Sequence, residues 1–322
     1  MNSLPDVGEF QGFDIAVDQT PRVRLWVTGP DRAKFLHNVC TQDIKGMPPG
    51  SNREAFVTSL QGKTLAYVSV HALPDALLVR TDAGVLPQIM PHFQKYGMFD
   101  DVVLEDRTES TREWHFAGEQ ALGLLKSAGI QPPEGVDATL VSVVGGEPFV
   151  LIREAPFGIP GWTVISLEGK DDPWIKALDQ ACLRVTSEQL EGLRILAGIP
   201  RNGQDVTPAN LPQELDRNDK TISFRKGCYL GQETVARLDA LGHVNKILRI
   251  LSLQGTHRPA IGAVVRSGER DAGAITSVGV LPAGQVVALA MLKVNLAPVG
   301  AQLQVTEGDR TIEATVHEIA GR

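Results

Sequence analysis

Apolar and polar positions along this chain mostly fall into short strand-like runs, and a few stretches switch to helical spacing. Residues 22–28 (Arg22-Val23-Arg24-Leu25-Trp26-Val27-Thr28) alternate as a strand does, and Gly29-Pro30 ends the run. Asp31 can cap a helix whose apolar side uses Ala33, Phe35, Leu36 and Val39. Strand patterns follow at 54–59, 64–71 and 76–80, with Gln61-Gly62 as a hairpin turn between the first two. Residues 85–96 read as a helix with Pro87 and Pro91 in its early turns, and 102–104 returns to strand. A second block begins near Trp114. It predicts a helix from Gln120 to Ala128, strands at 139–144, 149–153 and 162–167, and a helix over 173–183. Ser187 caps a further helix that Gly198 stops. Residues 199–220 are rich in Pro, Asn, Gln and Asp, and a polar loop this long inside a compact domain is usually functional or disordered. Beyond about residue 245, β-rich runs alternate with Gly/Pro turns at the spacing of a small all-β barrel or sandwich.

Size and charge narrow the classes. The 322 residues suffice for two or three domains. A net charge of −7 gives no basic excess and argues against a large nucleic-acid footprint, so no direct nucleic-acid binding is expected. Cys40, Cys182 and Cys228 are sparse, odd in number and form no CxxC, which suits a reducing cytoplasm. The first ten residues carry acids and no apolar core, unlike a secretory signal. No run approaches the ~20 apolar residues of a membrane span. The seven histidines show no HExxH, and no dinucleotide, P-loop or GxSxG fingerprint occurs.

The most specific stretch is Lys226-Gly227-Cys228-Tyr229-Leu230-Gly231-Gln232-Glu233. Thr221-Ile222-Ser223-Phe224 before it is β-branched and aromatic enough for a strand. Val235, Leu238 and Leu241 after it predict a helix ending at Gly242. Cys228 is therefore expected in a strand-to-helix turn, where the helix N-terminus, Arg225 and Lys226 would favour a thiolate. A small buried thiol in a tight turn is the alternative. Gly227 and Gly231 suit positive φ or close approach of a ligand. Glu233 suits a helix start and can pair with Arg237 one turn later.

This octet, with Phe35-Leu36, Thr41-Gln42-Asp43, Gly198-Ile199-Pro200, Gly203, Asp205 and Pro212-Gln213-Glu214 in order, resembles the YgfZ family of folate-binding proteins. These are relatives of the glycine-cleavage T-protein, the aminomethyltransferase. The resemblance spans nearly the whole chain and implies an α+β, three-domain cloverleaf around a central hole for tetrahydrofolate or a related reduced folate. It implies a two-lobed folate-binding region over 1–245, with the second lobe inserted at about 55–150, and a C-terminal antiparallel β-barrel over 246–322. It further implies a cytoplasmic role in maturing or repairing iron–sulfur enzymes, including tRNA-modifying ones, with those enzymes or assembly proteins as partners. Cys228 and Lys226 become the candidate chemical pair. Gly227, Tyr229, Gly231, Gln232, Glu233, Arg237, Gln213, Glu214 and Asp43 become candidate pocket residues, with Trp26 and Tyr67 as aromatic partners for a pterin.

Two departures separate the chain from the transferase. Ala66 and Tyr67 stand where T-proteins carry a paired acid, and alanine can neither accept a proton nor a hydrogen bond through its side chain. Leu196 stands where an acid would meet the pterin's amino group, so another acceptor is needed, with Glu214, Asp205 or backbone carbonyls as candidates. One-carbon transfer is therefore the disfavoured alternative to an accessory role, and turnover is left open.

Overall fold

A computed structural model of the chain describes residues 4–5, 14–127, 129–132, 138–144, 147–167, 176–177, 180 and 186–319. The first sheet takes β2 (Val23–Thr28), β3 (Asn52–Thr58), β4 (Thr64–Ala72), β5 (Leu77–Thr81) and β6 (Val103–Asp106) in the order β3-β4-β5-β2-β6. Helices α1 (Arg32–Val39) and α2 (Leu86–Tyr96) cover one face. Period two decides what they bury: Ala66, Val68 and Val70 of β4 join Leu25, Val57, Phe35 and Phe93 in one core, while Tyr67 turns to the other face.

The second sheet joins β1 (Ile15–Asp18) to β7 (Arg112–Ala117), β8 (Thr139–Val144), β9 (Glu147–Glu154) and β10 (Gly161–Ser166), in the order β1-β7-β10-β9-β8, with α3 (Glu119–Ser127) packed on it. The lobe boundary thus falls between β6 and β7. The segment 55–106 belongs with β2, and the N-terminal strand crosses into the second sheet, a correction to the insertion expected at 55–150. The sheets meet face to face through Trp26 and Leu78 against Val150, Ile152 and Ile165. Beside that seam lies a buried charge network in which Arg80 binds Glu113 at 2.5 Å and Glu154 at 2.9 Å, and Arg24 reaches Glu113 at 3.4 Å.

Helix α4 (Ser187–Leu196) is capped by Thr186, not Ser187: the Thr186 hydroxyl accepts from the Gln189 amide and the Gln189 side chain accepts from the Thr186 amide in return. It lies on the barrel through Leu193 and Ile195 against Val287 and Leu289. Gly192 and Gly279 let the two backbones touch, because a Cβ on Gly192 would strike the Val280 carbonyl. The barrel closes β11 (Lys246–Leu253), β14 (Val286–Lys293), β13 (Arg270–Val280), β12 (Val264–Ser267), β15 (Gln302–Glu307) and β16 (Arg310–His317) in that ring order, so no strand edge is left open. The helix expected over 173–183 lies largely outside the described residues. Among the described residues no helix is long and apolar enough to cross a membrane.

Candidate functional site

The octet is not preceded by a strand. Helix α5 (Asn218–Thr221) ends at Thr221, and residues 222–231 run as an irregular strap to α6 (Gln232–Leu241). The strap lies along the C-terminal end of α1 and the residues after it, which offer it hydrogen bonds a strand would have sought elsewhere. Ser223 donates to the Thr41 carbonyl at 3.0 Å and Leu230 to the Asn38 carbonyl at 2.8 Å. The Thr58 hydroxyl donates to the Leu230 carbonyl at 2.7 Å.

Lys226 is the buried anchor of this strap. Its ammonium donates to the carbonyls of His37, Cys40 and Gln42 at 2.5, 2.7 and 2.9 Å, which uses all three of its protons. Those carbonyls lie at and just beyond the end of α1, where a cation is favoured. Burial lowers Lys226 to about 8, and the ring of Tyr229 lies 4.7 Å from its nitrogen. Tyr229 packs with Ile222 and Val235. The ammonium expected to tune Cys228 or meet a folate carboxylate is thus committed to the main chain of α1.

Cys228 itself is exposed, three residues ahead of the Gly231 N-cap, and among the described residues no hydrogen bond reaches its thiol. The expected alternative of a buried thiol therefore does not hold; of the two described cysteines Cys40 is the buried one, pushed up to about 12 by burial. Gly231 has φ +79°, and a Cβ there would stand 2.6 Å from Gly62 Cα at the β3–β4 hairpin. Gly227 has no positive φ and open space around it, so the left-handed backbone expected as one of its two roles is not used.

The other predicted residues scatter. Gln213 donates to the Val235 carbonyl at 2.7 Å, and Glu214 accepts from the Leu211 amide at 3.0 Å, so both brace a short 3-10 turn, Pro212–Leu215, against α6. Asp43 accepts from the Gly46 amide and faces His37. Glu233 and Arg237 are exposed on α6, and Gln232 is half-buried at its start. Trp26 is 4% exposed inside the inter-sheet seam with Arg107 over its ring, which leaves no face for a pterin. Asp205 is fully engaged by Arg194, the Arg201 amide and the hydroxyls of Thr276 and Ser277. Leu196 is core.

Tyr67 alone of the predicted residues lines the cleft between the lobes. This cleft, about 320 Å³, is walled by β1 and the turn after it, β3, β4, the end of β9, α4 and the Ile199-Pro200 loop. Its volume lies within the range of small-molecule sites. Asn202 zips its loop to β4: its side chain accepts from the Tyr67 amide at 2.7 Å and donates to the Tyr67 carbonyl at 3.0 Å. The Asn202 amide and side chain both donate to one oxygen of Asp82, at 2.8 and 2.9 Å. The second Asp82 oxygen has no protein donor among the described residues. Glu54 is held by Arg217 at 2.6 Å, and Arg217 also lies 5.7 Å from the Tyr67 ring. Burial pushes the Tyr67 phenol above its ordinary pKa. The group lining the cleft at the acid-pair position is therefore a protonated phenol hydrogen-bonded to Glu54 and not a base, and Ala66 points into the core behind it.

The cleft residues Arg22 and Glu54 carried a signal, since both are charges within strand-patterned runs. Gln19, Asn52 and Asp82 carried none; the meeting of two lobes brings them together.

No family profile matches the sequence. The tRNA-modifying protein YgfZ of Hamiltonella defensa is 30% identical over 241 residues, covering 73% of this chain and 69% of that one. The chain belongs to the YgfZ family. A human mitochondrial iron–sulfur cluster assembly factor is 28% identical over 248 residues, covering 70% of this chain. A putative chloroplast transferase of Arabidopsis thaliana is 25% identical over 279 residues, covering 83% of this chain. The chain spans 63% and 62% of the length of these last two relatives. The crystal structure of the glycine cleavage system aminomethyltransferase T from Bartonella henselae superposes with a TM-score of 0.86 at 18% identity, covering 97% of this chain and 87% of that one. This YgfZ-family chain therefore has the T-protein fold, as the octet led one to expect.

Proposed function

We propose that the protein binds tetrahydrofolate, or a related reduced folate, in the inter-lobe cleft and serves the maturation or repair of iron–sulfur enzymes, tRNA-modifying ones among them, through Cys228. The observation that carries the reading is the cleft wall formed by Tyr67 and Asp82. A pterin presents an amino group and a ring N–H that suit a carboxylate. Leu196 cannot supply one, and the unengaged oxygen of Asp82 can. The Tyr67 phenol, kept protonated by burial and hydrogen-bonded to Glu54, cannot take a proton from an amine, which favours an accessory role over one-carbon transfer.

The iron–sulfur and tRNA part of the reading is supported by what the family relatives are named for. One thiol cannot hold a cluster that ordinarily takes about four, so Cys228 acts together with groups of a partner, as nucleophile, redox site or transient iron ligand. Its exposure, beside the exposed apolar side chain of Phe224 on the same strap, suits such an encounter. The partner is an iron–sulfur enzyme or assembly protein in the cytoplasm, and the acidic balance of the chain gives no reason to invoke direct nucleic-acid contact.

Calorimetric titration with 5-formyltetrahydrofolate, a stable reduced folate, tests the cleft. Wild type is expected to bind, and Asp82→Ala to bind roughly 10-fold more weakly or worse, the cost of a lost charge-assisted hydrogen bond. Cys228→Ala should bind normally yet fail to restore cluster-dependent tRNA thiolation in cells lacking the protein. Rescue by Cys228→Ala equal to wild type sinks the thiol role; absence of folate binding by wild type sinks the cleft.

A further inference from the structure

The cleft contains more charge than its proposed pterin acceptor uses, and nearly all of it is matched within the protein. Glu54 is paired with Arg217 and Glu154 with Arg80. Arg194 and Arg201 share Glu191, Asp82 is bound by Asn202, and Asp18 accepts from the Thr20 amide. Arg22 is the exception. Among the described residues no carboxylate lies within ion-pairing distance of its guanidinium; one Nη donates to the Gln19 side-chain oxygen at 3.0 Å. Its Nε is buried and has no acceptor.

Two further donors on the same wall are in the same condition. Gln19, a cleft-lining residue only 5% exposed, turns its oxygen to Arg22, and its amide nitrogen is buried and unpartnered. The Asn52 amide nitrogen, arriving from β3 in the other lobe, is also buried without an acceptor. Buried donors are nearly always satisfied, because leaving one without a partner costs the desolvation of that group. Three orphaned donors with one uncompensated cation, lining one cavity, describe a place where an acceptor-only, negatively charged group belongs.

The geometry points to a carboxylate-binding subsite formed by Arg22, Gln19 and Asn52 in the inter-lobe cleft, which receives a carboxylate of the glutamyl tail when a reduced folate occupies it. A guanidinium edge beside two amide N–H groups matches the two oxygens of a carboxylate. The assignment of the tail rests on the folate reading; the subsite's preference for a carboxylate does not. The two ends of such a ligand would then be sorted by charge. The acceptor Asp82 takes the pterin's N–H groups and the donor cluster takes the tail, so the cleft reads orientation as well as shape.

The test titrates the full chain with three probes: 5-formyltetrahydrofolate, its glutamyl diamide with both tail carboxylates converted to amides, and the tail fragment p-aminobenzoylglutamate. Wild type is expected to prefer the acid over the diamide by roughly 10- to 100-fold, the scale of a charge-assisted contact. Arg22→Met should erase that preference by weakening the acid and leaving the diamide unchanged. Asn52→Ala, from the other lobe, should reduce it by a smaller factor, and thermal melting of both variants reports whether they fold. Equal affinity of wild type for acid and diamide, or equal weakening of both by Arg22→Met, overturns the subsite while leaving the folate reading in place. If neither folate binds but the tail fragment binds in an Arg22-dependent way, the folate reading fails and the carboxylate site stands. If no probe binds wild type, both fall.

Discussion

Lys226 shows how one side chain can belong to a signature sequence for a reason other than chemistry. Its nitrogen satisfies three carbonyls at and beyond the end of α1. Replacing it with methionine keeps the apolar stem and leaves those carbonyls without their donor. Lys226→Met is expected to lower the unfolding free energy by roughly 2–3 kcal/mol, the range for charged hydrogen bonds. Arg237→Ala, on the exposed face of α6, should stay within about 0.5 kcal/mol of wild type. Urea denaturation of both variants measures this. A stable Lys226→Met that instead loses folate affinity would move the lysine back to the ligand. Tyr67 teaches the converse: its aromatic character alone reads as core, and only its place on the outward face of β4 makes it part of a cleft.

At the scale of elements, the strap and the β3–β4 hairpin hold each other by backbone contact. Gly62 and Gly231 both lie at positive φ, +74° and +79°, and a Cβ on Gly62 would stand 2.7 Å from Thr234 Cβ. Each position therefore combines left-handed backbone with a close neighbour. Gly62→Ala and Gly231→Ala are each expected to cost roughly 2–4 kcal/mol, from the left-handed penalty together with displacement of the facing chain. Gly227→Ala, with nothing within 4 Å, should be close to neutral. Thermal melts of the three variants separate them, and equal losses would mean that the octet's glycines serve something other than packing.

At the scale of the molecule, the two lobes are joined across a buried polar seam whose histidines are kept neutral. Burial, and after it the Arg80 guanidinium, lower His71 to about 3, and burial lowers His115 to about 4. In the unfolded chain both take up protons near pH 6.5. Between about pH 6.5 and 4 the unfolded chain thus binds more protons than the folded one. Stability is fully present above that window and falls as the pH drops through it, by roughly 1.4 kcal/mol per pH unit for each proton. Denaturation midpoints at pH 7, 5.5 and 4.5 should decline in step, and a flat series would show that the seam admits imidazolium. Glu154, which burial raises but Arg80 lowers further, stays ionised below the usual carboxylate range and adds its own loss at still lower pH.

Local pattern alone was enough to place most strands, the two helices over β2–β6, the closing barrel and the family, because period-two alternation, glycine turns and an eight-residue signature are written within a few neighbours. It misjudged Thr221–Phe224 as a strand: Thr221 closes the short helix α5, and the extended residue after it leads to Ser223, which bonds the main chain after α1 and no partner strand. It also set the second lobe too early, since strand pairing is a choice among distant segments. The cleft was almost wholly a tertiary decision. Gln19 and Arg22 share the turn after β1, Asn52 opens β3, Tyr67 lies within β4 and Asp82 follows β5, and their hydrogen-bonding needs become visible only when burial removes water and the fold determines which of them acquire partners.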